Sequence, residues 1–155
     1  MRRMPKSLVC AFALVAVVLA PVAAQKPLFT DAFPIAEFAG RRAEVMKQIG
    51  DGVAIITGAT ERADYEKFKQ NKQFFYLSGV EVPRAMLLID GKTKSSTLFL
   101  PARTDANDRS EGPLLRPDDT AKRLTGIETV ADRATFDEAI KKIAAEGRHI
   151  YVPFR

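Results

Sequence analysis

Apolar positions in residues 34–49 recur at intervals of three and four. Ile35, Phe38, Ala39, Val45, Met46 and Ile49 therefore fall on one face of a helix, with Pro34 suited to its first turn and Gly50 to its stop. The face is a core face, and Arg41, Arg42 and Lys47 are expected to point outward. Residues 52–57 then form a continuous apolar run rich in β-branched side chains between glycines, which reads as a strand buried on both faces. A polar stretch over residues 59–73 reads as a loop with at most a helical turn. Phe74, Phe75, Tyr76 and Leu77 are strand-like and are closed by Ser78 and Gly79. Two further apolar runs, 85–89 and 97–100, flank the turn residues Asp90, Gly91 and Lys92 and predict an antiparallel hairpin.

Beyond Pro101 the chain is polar through Gly112 and is expected to be an exposed loop. A short helix is predicted from Pro117 to just before Gly126, followed by a small strand over residues 128–130. Thr135 and Glu138 have the spacing of a capping box, so a helix over residues 136–146 should follow, with Ile140, Ile143 and Ala144 inward and Gly147 as its terminator. Residues 149–152 read as a strand that has barely begun. No fixed-period repeat or low-complexity tract interrupts this alternation, which gives a single α/β domain whose mixed sheet is flanked by helices.

Charge changes the picture only through the amino terminus. Arg2, Arg3 and Lys6 precede a nearly all-apolar run over residues 8–20, too short to span a bilayer, and small residues flank Ala23. Residues 1–24 are thus expected to be a signal peptide cleaved before Gln25, with 25–32 a linker. The expected location is periplasmic or extracellular, with no membrane attachment after cleavage. The Arg2-Arg3 pair lacks the twin-arginine continuation, and Cys10 lies too early for lipidation. Without the signal, 21 basic residues face 19 acidic ones, a balance that argues against nucleic acid as a partner. Its only cysteine gone, the mature chain must be held by a core, not by disulfides.

Catalytic chemistry is sparse. The one histidine, His149, sits in a predicted strand and reads as structural or surface. Asp105, Asp108 and Glu111 loosely resemble an oxygen-ligand loop but lack the twelve-residue calcium pattern, so they read as solvated charges. Ser78 and Ser110 have no spaced histidine and carboxylate partners. The aromatic run is the open question. Phe74, Phe75 and Tyr76, next to Gln70 and Asn71, read either as core or as a substrate-access or interface surface. Strand alternation would put Phe74 and Tyr76 on one side and Phe75 with Leu77 on the other.

Residues 68–85, from Phe68 and Lys69-Gln70-Asn71 through the aromatic run to Ser78-Gly79, Pro83 and Ala85, closely resemble a signature of the N-terminal domain of Xaa-Pro aminopeptidases. Lys69 and Ser78 stand where that family more often has arginine and threonine. The Arg41-Arg42 pair, the 52–56 strand, residues 97–101 and Glu111-Gly112-Pro113 agree in order, while Ser110 stands where the family often has an aromatic residue. The resemblance implies a creatinase/prolidase N-terminal fold with ribonuclease H-like topology over residues 33–155. It also implies a C-terminal pita-bread catalytic domain holding two divalent metal ions, manganese or zinc, that is absent from this chain. The implied whole is a homo-oligomeric metallopeptidase that removes an N-terminal residue preceding proline from peptide substrates. On this reading the chain is non-catalytic, has no cofactor of its own, contributes to substrate access and oligomer contacts, and is truncated after Arg155. The rival reading is a stand-alone exported module that binds peptides or proteins, and creatinase- or prolidase-like chemistry is a third.

Overall fold

Alternation along the central strands decides which layer each side chain enters. In the computed structural model, which describes residues 33–60 and 68–154, strands β1 (Val53–Thr57), β2 (Met86–Asp90), β3 (Ser95–Leu100), β4 (Thr129–Asp132) and β5 (Ile150–Tyr151) form one sheet in the order β4-β3-β2-β1-β5. The expected signal peptide, the linker and residues 61–67 of the polar stretch lie outside the described residues. β2 runs antiparallel to both β1 and β3, while β4 and β5 add in parallel at the two edges. Ala54, Ile56, Leu87, Ile89, Leu98 and Leu100 enter one core layer. Val53, Ile55, Leu88 and Phe99 enter the other, as a period of two requires.

Helices α1 (Ile35–Ile49), α2 (Lys72–Ser78) and α4 (Asp119–Thr125) send Met46, Phe74, Leu77 and Ala121 into the first layer. Helix α5 (Phe136–Ala145) covers the second with Phe136 and Ile143, and the Phe136 ring meets Phe99 edge to face at 5.2 Å. The expected mixed α/β domain is the one observed.

Local chemistry explains several departures from the sequence expectations. The polar segment after Pro101 contains a helix, α3 (Asp105–Glu111), because Thr104 and Asn107 form a reciprocal capping box. Thr135 makes no such box with Glu138. Its hydroxyl donates to Asp132 O at 2.8 Å, while Asp132 caps a 3-10 turn, Arg133–Thr135, that leads into α5. Ala144 is exposed; Phe136, Ile140 and Ile143 make the inward face of α5. Asp118, not Pro117, starts α4, its carboxylate accepting from Ala121 N–H at 2.9 Å.

The edge strand β5 is shorter than the expected run over 149–152. Val53 N–H bonds His149 O at 2.9 Å, and the register places Ile150 beside Val53, so the parallel ladder next calls for N–H groups from residues 151 and 153. Pro153 has none, and the strand stops at Tyr151. Arg148 anchors this edge. Its guanidinium makes a paired contact with Asp90, donates to Asp51 O at 2.8 Å, and lies almost wholly out of solvent. Burial would raise the Asp90 carboxyl, but hydrogen bonds from Arg148 and from the Thr93 and Lys92 N–H groups hold it down at about 2. Because this lies below the ordinary value near 3.8, the stabilisation is complete above about pH 4 and is lost as pH falls through about 2. It is worth about 2 kcal/mol at neutral pH. Asp90→Asn should therefore lower stability in urea at pH 7, and the gap from the parent should close at pH 2; an equal gap at both would show that Asp90 acts otherwise.

Candidate functional site

Gln70 and Asn71 spend their amides on their own domain. Gln70 Oε1 accepts from Ala59 N–H at 2.6 Å and Asn71 N–H at 2.8 Å, and Gln70 Nε2 donates to Val82 O at 3.1 Å. Asn71 Nδ2 donates to Thr57 O at 3.2 Å, and its Oδ1 accepts from Gln73 N–H at 3.1 Å, making it the N-cap of α2. The two amides thus join the end of β1, the start of α2 and the segment before β2. Gly58 allows this closeness, since a Cβ there would press on Ala85 O and Gln70 Oε1. These bonds set the local shape of the site.

The aromatic run is helical, not a strand, and this corrects the expected alternation. Phe74 and Leu77, three residues apart, are buried; Phe75 is half-buried; Tyr76 is 56% exposed. Aromatic residues favour strands, so seven residues of this composition need help to stay helical. Asn71 supplies it at one end. At the other, Gly79 in the left-handed region (φ 67°) donates its N–H to Phe75 O, and the buried Ser78 hydroxyl donates to Phe74 O at 2.7 Å. Arg41 Nη1 donates to Tyr76 O at 3.0 Å and Arg42 Nη1 to Leu77 O at 3.1 Å. The open carbonyls of Phe75, Tyr76 and Leu77 are thus each taken up.

Arg42 is the residue that the sequence reading misplaced. It is 1% exposed, and its Nη2 donates to Gly126 O at 3.1 Å, the C-cap carbonyl of α4. Burial pushes its guanidinium down from the ordinary range, and the charge of Glu128 opposes this. Its direct partners are two helix C-termini, where aligned peptide dipoles favour a cation. A signal for this was present in the chain: Leu77-Ser78-Gly79-Val80 recurs as Leu124-Thr125-Gly126-Ile127. Both copies end a helix with a hydroxyl bonded back four residues and a left-handed glycine. Both glycines lie under α1, against Phe38 and Ile35.

Arg41 organises an outward face. Its guanidinium lies 4.2 Å from the Tyr76 ring centre, 5.3 Å from Phe38 and 5.4 Å from Phe33, and it pairs with Glu37 at 2.9 Å. Phe33 and Phe38, flanking the helix start, meet edge to face at 6.2 Å, a hydrophobic staple. Phe33 and Tyr76, which both lie against this guanidinium, remain 43% and 56% exposed.

No metal site accompanies it. Asp108 accepts from Arg116 and Arg103, which hold its carboxyl below the ordinary range, and Asp105 pairs with Arg116. Among the described residues no three His, Cys, Asp or Glu side chains are grouped to hold a metal. His149 is exposed, and Ser78 is spent on backbone. A cavity of about 60 Å³ between Val82, Arg84, Arg103 and Leu114 is far smaller than a peptide pocket.

The comparisons agree on what this assembly is. A family model described as "Aminopeptidase P, N-terminal domain" matches residues 38–151. A protein named "Probable Xaa-Pro aminopeptidase" from Coccidioides posadasii is 33% identical over 106 residues, 64% of this chain and 21% of that protein. One of the same name from Paracoccidioides brasiliensis is 33% identical over 98 residues, 60% of this chain and 19% of that protein. The chain thus spans about a fifth of the length of these curated relatives. Among solved structures, Escherichia coli aminopeptidase P with the inhibitor Pro-Leu superposes with a TM-score of 0.62 at 23% identity, over 70% of this chain and 26% of that one. Icp55 from Saccharomyces cerevisiae gives 0.65 at 17% identity, over 76% and 29%. These structures share the fold, and the family match covers most of the sequence: the chain belongs to the aminopeptidase P N-terminal domain family.

Proposed function

We propose that this domain is the non-catalytic N-terminal part of an exported, metal-dependent Xaa-Pro aminopeptidase, and that the face around Tyr76 meets a catalytic domain or a neighbouring subunit and so shapes substrate access. The observation that carries this reading is the exposed Phe33 and Tyr76 gathered around Arg41. Aromatic residues with an arginine are the composition of an interface centre. The family match supplies the parent class. Hydrolysis belongs to residues outside this chain, because it needs converging metal ligands around an activated water. Manganese or zinc would sit in the C-terminal domain. Export is supported by the basic start, short apolar core and small residues before Gln25. No helix among the described residues is long and apolar enough to cross a membrane.

The mature chain 25–155, supplied with manganese or zinc, should release no residue from a Xaa-Pro peptide, and a full-length parent should do so. Within that parent, Tyr76→Ser should lower activity or change assembly mass while the fold stays intact. Turnover by the isolated chain would overturn the reading. A Tyr76→Ser parent with unchanged activity and mass would overturn the role of this face.

A further inference from the structure

Adjacent arginines on α1 reach adjacent carbonyls at the end of α2: Arg41 takes Tyr76 O at 3.0 Å and Arg42 takes Leu77 O at 3.1 Å. We infer that this pair is a clamp that holds residues 72–78 helical and thereby places Tyr76 on the outer face, so that Arg41 and Arg42 are positioning residues for the contact surface. The inference rests on the reading of the Tyr76 face given above. Its physical basis is a conflict of periods. At a period of two, Tyr76 would share a side with Phe74, which is fully buried; at 3.6, Phe74 pairs with Leu77 and Tyr76 turns away. The composition favours the first arrangement and the observed backbone is the second. A helix this short is marginal without external partners.

The two arginines divide the work. Arg42 is buried and also holds Gly126 O at 3.1 Å, tying the end of α2 to that of α4. Arg41 lies at the surface and stacks on the Tyr76 ring while bonding the carbonyl of the same residue, so one side chain fixes both backbone and ring. A lysine in either place keeps the charge but loses the planar fork that reaches a carbonyl and a second partner together.

The test is amide hydrogen exchange on the mature chain 25–155 with Arg41→Lys, and separately Arg42→Lys, resolved along the sequence. Exchange at residues 75–79 should rise about tenfold or more in each variant, and in the Arg41 variant α5 and β2 should keep their parent rates, the pattern of a local opening. Unchanged exchange at 75–79 in the Arg41 variant would overturn the clamp. A uniform rise across the fold in the Arg41 variant would also overturn it, showing a general stabilising role. Loss of assembly or activity on Tyr76→Ser in the parent, with α2 still protected, reports on the contact face alone, so the two ideas fail separately.

Discussion

Replacing Arg42 by methionine should destabilise the domain by about 2–4 kcal/mol, because the buried Leu77 carbonyl loses its donor at about 1–3 kcal/mol and the part-buried bond to Gly126 O is lost at about 1 kcal/mol. Exchanging a buried ion pair for apolar residues is often harmless, since both charges leave together. That escape is closed here. The acceptors are the backbone oxygens of Leu77 and Gly126, which no substitution removes. Relief of the guanidinium's burial cost recovers part of the loss, and the methionine stem keeps the packing along α1. Set against the about 5–15 kcal/mol typical of a whole domain, the change should shift the urea midpoint far to the left with the slope unaltered. A midpoint within about 1 kcal/mol of the parent would mean that the carbonyls find other donors.

Why Arg42 was illegible follows from the same chemistry. Its position in the helical stripe, four residues before Met46 and four after Phe38, is a core position, yet its charge argued for solvent. Sequence patterning assigns a cation to the surface unless a partner is visible. The partners here are main-chain atoms 35 and 84 residues away, which have no letter in the sequence. The recurrent Leu-Ser/Thr-Gly-Val/Ile corner was the available hint that two helix ends share a geometry.

Strands β1 to β3 were legible for the opposite reason. Their centres, residues 53–56, 86–89 and 98–100, are continuously apolar because both sheet faces are covered, and Asp90 with Gly91 marks the turn between β2 and β3. Helix α3 was hidden because its stabilisation comes from Thr104 and Asn107, residues equally at home in a loop. Of the candidate contact residues, Gln70 and Asn71 bond to the domain's own backbone, Phe74 is buried, and Tyr76 alone is mostly exposed. The motif that carries the family resemblance thus encodes a backbone junction and a helix cap, with the exposed Tyr76 as its outer consequence.

That division gives the second large effect. Phe74→Ala should cost about 3–5 kcal/mol, the loss expected for a fully buried ring in a close-packed layer. Tyr76→Ala should change stability by much less, about 1 kcal/mol, from the stacked guanidinium it leaves behind. A strand would tie these two together, since residues two apart share a face, and would make Phe75 the odd one out. The helix makes Phe74 and Leu77 the costly pair and sets Tyr76 apart. Urea unfolding of the two single alanine variants of the mature chain separates the arrangements. Equal losses at Phe74 and Tyr76 would restore the strand and remove the exposed aromatic face on which the proposed contact depends.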